Sequence, residues 1–168
     1  MKRAACLGVS SALLVVMLLA CAMPGLVQEA KPAKIVPVAI QILKVESDEV
    51  KLPPAFQMAL YENLIEEVKK TGKFPYVYRD GERAAANVPD LLTLRTIVRG
   101  FKQGSARARQ VTTVAGATSI KVRVQIATRD GRLLVDRDAE GKVRFFGENL
   151  RATYNLAKSI AKIVRKQI

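Results

Sequence analysis

The residues best placed to do chemistry in this sequence are cations. Between Asp90 and Asp130 there is no acidic residue, but there are eight basic ones: Arg95, Arg99, Lys102, Arg107, Arg109, Lys121, Arg123 and Arg129. The first seven form the candidate binding set. A surface of one sign attracts anions, here lipid headgroups, anionic glycans or an acidic partner. The same run reads equally well as a solvated face with a positive bias. Downstream, Asp136, Asp138 and Glu140 alternate as cation ligands do, but they lack the twelve-residue spacing and terminal bidentate Glu of a calcium loop, so a hairpin tip is expected there. Gly104-Ser105 and Gly116 could aim backbone N–H groups at an anion. Without a phosphate-loop pattern they are better read as turn glycines.

Absences narrow the chemistry further. The chain has no His, and its two Cys, Cys6 and Cys21, both precede residue 22. The commonest general base and metal ligand are therefore missing, and Ser-His-Asp and Cys-His arrangements are excluded. The body of the chain has no disulfide framework and no Cys zinc site. Carboxylate-only catalysis stays open, yet no carboxylate pair can be placed in a cleft from sequence, and Glu62, Glu66 and Glu67 read as an ordinary solvent-facing helix surface. A non-enzyme with no cofactor and no metal is expected. Nucleic acid is disfavoured too, because no recognition motif is present and only nine residues are aromatic.

The N-terminus supplies an address. Lys2 and Arg3 precede an apolar run from Ala4 to Ala20, the n-region and h-region of an export signal. The run ends in Leu18-Leu19-Ala20-Cys21, which resembles the lipobox of bacterial lipoproteins. That resemblance implies lipidation of Cys21 as the new N-terminus. Two alternatives stay open: ordinary cleavage after Ala22, or an uncleaved span, since no charge occurs between Arg3 and Glu29. The expected organisation is a signal peptide over 1–20, a tether over 21–34 containing Pro24, Gly25 and Pro32, and one domain over 35–168.

The elements that must position the cations are legible from periodicity. Ile120, Val122, Val124 and Ile126 alternate with Lys121, Arg123, Gln125 and Ala127, which predicts a strand with one buried face. Asp130-Gly131 predicts a tight turn with Leu133 to Val135 returning as partner. Leu94, Thr96 and Val98 alternate with Arg95, Ile97, Arg99 and Phe101, predicting a second strand with Phe101 on the arginine side. Ile35 to Leu43 reads as a β-rich segment, and Phe74 to Tyr78 as a short strand. A further turn is expected at Asp138-Ala139-Glu140-Gly141, then a last strand over Val143 to Phe146. Phe56, Leu60, Leu64 and Val68 recur every four residues, predicting a helix from Ala55 to Lys70 closed by Gly72. Asn149 is a suitable N-cap for a closing helix to Lys166, whose buried stripe would run through Leu150, Tyr154, Ala157, Ala161 and Val164. Lys158, Lys162, Arg165 and Lys166 then fall on the opposite surface.

This order predicts an α+β two-layer sandwich, a mostly antiparallel sheet with two amphipathic helices on one face. The stretch from Gly104 to Leu134 carries a resemblance: Phe101-x-x-Gly104-Ser105-x-x-x-Arg109, Gly116-Ala117, then Arg129-Asp130-Gly131-Arg132-Leu133-Leu134. It looks like an uncharacterised domain family of exported bacterial proteins and lipoproteins, departing from it at Val114, where a second Gly is expected. The element order is similar to the small α/β domains of envelope lipoproteins. The reading that follows is a lipid-anchored, non-catalytic binding domain in the bacterial cell envelope, facing the periplasm, on the outer membrane if the cell has one. Its expected partners are the membrane, through the anchor, and an envelope protein. The alternative is a soluble periplasmic protein that binds an anionic ligand through its basic sheet.

Overall fold

The computed structural model describes residues 39–105, 107–108, 116–143 and 148–168. The expected signal, tether and lipidation site at Cys21 lie outside them, as do Arg109 and Val114. The described elements are β1 (Ala39–Ile42), α1 (Pro54–Lys70), β2 (Tyr76–Arg79), β3 (Leu91–Lys102), β4 (Thr118–Thr128), β5 (Leu133–Val143) and α2 (Arg151–Gln167). A 3-10 turn at Arg83–Asn87 separates β2 from β3. The strands form one sheet in the order β2-β1-β3-β4-β5. β1 is parallel to both of its neighbours, while β3, β4 and β5 form an antiparallel meander. The fold is thus α+β with a mostly antiparallel sheet, as the order of elements predicts.

Topology fixes the helix directions. Parallel β1 and β2 need a crossover, and α1 provides it, so α1 runs against the strands it connects. Pro54 is tolerated in its first turn, and Gly72 (φ 66°) follows its C-terminus. Phe56, Leu60, Leu64 and Val68 are buried as their spacing requires. α2 buries Ala152, Leu156, Ala157, Ile160 and Val164 on the same side of the sheet. Against them lie Leu92, Leu94 and Val98 of β3 and Ile120, Val122, Val124 and Ile126 of β4. Each of these large side chains contributes roughly 1.5–3 kcal/mol by leaving water.

Four expectations change. First, a bulge at Arg99 shifts the β3–β4 register, pairing Val98 with Val122 but Gly100 with Lys121. The extra residue reverses the alternation, so Phe101 turns from the arginine side into the core and meets Phe56 edge-on at 5.0 Å. Second, Asp138 to Gly141 is no turn but the middle of β5. Its small residues serve packing: a Cβ on Gly141 would stand 2.3 Å from the Ala152 carbonyl oxygen. Val143 ends this strand, and 144–147 lie outside the described residues. Third, Asn149 caps nothing. Its side chain accepts from the Thr118 hydroxyl (2.8 Å) and donates to the Gly104 carbonyl (3.1 Å), so α2 begins two residues later and Leu150 is left exposed. Fourth, Glu67 is not on a solvent face. It is buried beside α2 and takes a 2.7 Å ion pair from Lys70.

Candidate functional site

The helices cover one face of the sheet. The other face presents alternate residues of β3, β4 and β5, and register decides which of them meet. Arg95 and Arg99 come from β3, Lys121 and Arg123 from β4. Across the β4–β5 ladder Lys121 opposes Glu140, Arg123 opposes Asp138 and Gln125 opposes Asp136. Four of the seven candidate cations therefore share one surface. Lys102 is exposed at the end of β3 and Arg107 is exposed in the connection beyond it. Arg109 is outside the described residues, and no common site with these two is defined for it.

Acids from elsewhere in the chain meet these cations. After β1 the backbone continues alongside β3, with Glu46 bridged to Ile97, which sets Glu46 and Glu49 next to the arginines. Arg95 forms a two-pronged pair with Glu46 (2.5 and 2.6 Å), and Arg99 pairs with Glu49 at 2.5 Å. Arg123 grips Asp136 with two bonds of 2.6 and 2.5 Å. Paired hydrogen bonds of this kind fix a guanidinium more firmly than a single contact. The Asp136 carboxyl is held below its ordinary value by its hydrogen bond from Arg123, and the Arg123 guanidinium is raised in return. The face is thus a lattice of alternating sign rather than an unbroken basic stripe.

Within the lattice lies a shallow depression of about 540 Å³, bordered by Arg99, Lys121, Arg123, Asp138 and Glu140. Among the described residues Lys121 makes no salt bridge and the buried Glu140 Oε1 atom has no hydrogen-bond partner, while its other oxygen holds Lys142 at 2.6 Å. The surface can offer a cation at Lys121, beside the Glu140–Lys142 pair.

The glycines of the central stretch serve geometry. A Cβ on Gly104 would sit 1.9 Å from the Gly116 carbonyl oxygen, so the two ends of the β3–β4 connection pass in backbone contact. Thr118 accepts from the Gly104 N–H (3.1 Å) and ties this crossing to Asn149. Arg129 is also structural: it donates to the carbonyls of Val88 (2.8 Å) and Ala86 (2.5 Å) around the end of the 3-10 turn.

No family model matches the chain, and no curated protein is detectably similar to it. Solved structures do share its architecture. A single-substitution variant of PelC from Paraburkholderia phytofirmans, seen as a dodecamer, superposes with a TM-score of 0.56 at 11% identity, over 81% of this chain and 92% of that one. The PelC dodecamer in another crystal form gives 0.56 at 12% identity, over 79% and 92%. Protein XCC0632 from Xanthomonas campestris, described as DUF330, gives 0.47 at 14% identity, over 81% and 85%. At these identities the likeness to PelC is one of fold. Among the described residues no helix is long and apolar enough to cross a membrane; the Ala4–Ala20 run lies outside them.

Proposed function

We propose that this chain is an exported lipoprotein, anchored through Cys21 to a membrane of the bacterial envelope, whose domain is a non-catalytic interaction module. The observation that carries the reading is the sheet face opposite the two helices. It is broad and charged, and the Arg95–Glu46 and Arg123–Asp136 pairs hold its side chains in place before any partner arrives. Rigid, alternating charge favours a complementary protein surface over a simple polyanion, because each arginine already has a carboxylate that an anion must displace. This argument weighs against the reading of a soluble protein that collects an anionic ligand on this face. PelC, which shares the fold, assembles as a dodecamer, so a second copy of this chain is the first partner to test.

The test is fractionation followed by co-purification. The wild-type protein is expected to incorporate fatty acid, stay in membranes through a high-salt wash, and bring a partner or further copies of itself out of detergent-solubilised envelopes. Cys21→Ala is expected to lose the fatty acid and the membrane retention together, since a lipobox diacylglycerol supplies the two chains stable anchoring needs. Retention of Cys21→Ala after the wash overturns the anchor, and a wild-type protein that emerges alone as a monomer overturns the interaction role.

A further inference from the structure

The two ends of the domain differ. α1 and α2 run in the same direction: Asn63 of α1 donates to Thr153 of α2 at 2.9 Å, and a groove further along is lined by Glu67, Lys70 and Thr71 on one side and by Lys158, Lys162 and Arg165 on the other. Both helices therefore end at one pole. The same pole holds the starts of β1 and β2, because Ala39 is in register with Tyr76. It also holds the start of β5, which runs parallel to β3 and so to β1.

The side chains gathered there are distinctive. Lys69 and Lys73 at the end of α1, and Lys162, Arg165 and Lys166 at the end of α2, are exposed, and none makes a salt bridge among the described residues. Of the acids near this pole, Glu66 and Glu67 are engaged by Lys70, which leaves Asp90, Asp130 and, beside Lys162 and Lys166, Asp138 against the five cations. Helix dipoles favour a cation or two in each last turn. They do not account for the large apolar side chains exposed at the same pole: Tyr76 is 57% accessible, Leu133 49% and Leu134 39%. Cations beside protruding aromatic and aliphatic groups match the headgroup layer of an anionic bilayer, where cations meet phosphates and an amphipathic ring sits at the interface.

We propose that this pole docks onto an anionic lipid surface, and that the domain stands on the membrane with its charged sheet face turned sideways. The inference rests on the anchored reading for its geometry. The chain enters β1 at Ala39, on this same pole, only eighteen residues after Cys21. Even fully extended, that segment reaches at most about 60 Å, so an anchored domain meets the bilayer repeatedly, with the tether attached at this pole.

The experiment uses the full lipidated chain reconstituted into vesicles of phosphatidylglycerol and phosphatidylethanolamine, and separately of phosphatidylcholine alone. Lysines are modified with an amine-reactive reagent and read by mass spectrometry. At low salt, Lys69, Lys73, Lys162 and Lys166 are expected to react about fivefold or more slowly on the anionic vesicles, the factor one basic residue near such a surface contributes. Lys44, Lys51 and Lys121, away from this pole, are expected to be unchanged. The protection should vanish near 1 M salt, where the screening length is about 3 Å. Arg165→Glu with Lys166→Glu, both exposed, should abolish the protection of Lys69 and Lys73 with only a small fall in melting temperature, because acids replace cations in the last turn of α2. Equal rates on both vesicle types, protection that survives high salt, or protection of Lys121 in place of the polar set would each overturn the docking. Should the chain wash off the vesicles, the anchor fails by itself. Docking is then scored with the chain mixed with the same vesicles, where selective protection upholds it and uniform rates overturn it.

Discussion

Gly141→Ala tests the packing of α2 on β5 with the smallest possible perturbation. A Cβ built at this position lies 2.3 Å from the Ala152 carbonyl oxygen, 2.5 Å from Leu156 Cβ and 2.7 Å from Leu156 N. Two of these three atoms are helix backbone, so no side-chain rotation relieves the contact and α2 must move away by about 1 Å. Its neighbours Leu156 and Ile160 are fully buried, and lifting them loosens close-packed contacts along the strand. Overpacking of this kind costs typically 1–3 kcal/mol. Against it stands the reduced freedom of the unfolded chain, worth about 0.4–1 kcal/mol for a Gly→Ala change. The expected net loss is about 1–2 kcal/mol, and for a domain of this size a melting temperature lower by roughly 3–10 °C. Gly100→Ala is the control, because its Cβ would meet only Lys121 side-chain carbons at 3.7 Å or more. The assay is thermal unfolding followed by circular dichroism at several scan rates, with refolding checked. A Gly141→Ala protein as stable as the Gly100→Ala protein would refute the close approach of helix and strand.

Two further outcomes follow from the same structure. Val122→Asp should fail to fold, since Val122 is 1% accessible and an unpaired charge there costs several kcal/mol of a total near 5–15; Arg123→Asp should fold with nearly native ellipticity, though it loses the Asp136 pair, and equal melting of the two variants would contradict the alternation. Stability should fall as pH drops below about 4.5: the Glu62 carboxyl, ordinarily at 4.5, and that of Asp136, ordinarily at 3.8, are both held lower in the folded state by hydrogen bonds from Arg79 and Arg123, so the stability they confer is present above those ordinary values and lost as acid protonates them. With no His in the chain the melting temperature should be level from pH 6 to 8, and a transition inside that range, seen by fluorimetry, would contradict this assignment.

Local pattern was enough for elements whose buried faces obey one period throughout. β4 keeps strict alternation from Thr118 to Thr128, and α1 keeps its four-residue spacing, so both were readable. Simple alternation misplaces Phe101 because it is blind to an inserted residue; the one local mark of the bulge at Arg99 is Gly100 beside it. In the sequence β5 reads as two strands because Ala139 and Gly141 look like turn residues. They are small for another reason, which is the backbone of α2 lying against them. Leu150 and Tyr154 misled in the opposite sense: apolar spacing at a helix start counts for little when Asn149 is engaged by Thr118 and Gly104.

The basic surface shows the same limit at longer range, and it changes what the charge means. The absence of acids between Asp90 and Asp130 is a fact of sequence, yet neutralisation happens in space. Glu46 and Glu49 lie 49 and 50 positions before the arginines they meet. A window along the chain therefore overstates the positive character of the sheet face and understates that of the helix ends. Lys162, Arg165 and Lys166 read only as the wet side of a helix, and Lys69 and Lys73 as the wet end of another. What joins them is the crossover from β1 to β2, which makes α1 antiparallel to the strands, and the odd number of strands from β3 to β5, which makes α2 run the same way. An even number of strands in the meander would have sent α2 in the opposite direction and split the cations between two poles. The clustering of unpaired charge at the end where the chain enters β1 is thus a consequence of strand count and connection, which is why topology, and not composition, gathers these cations on one pole.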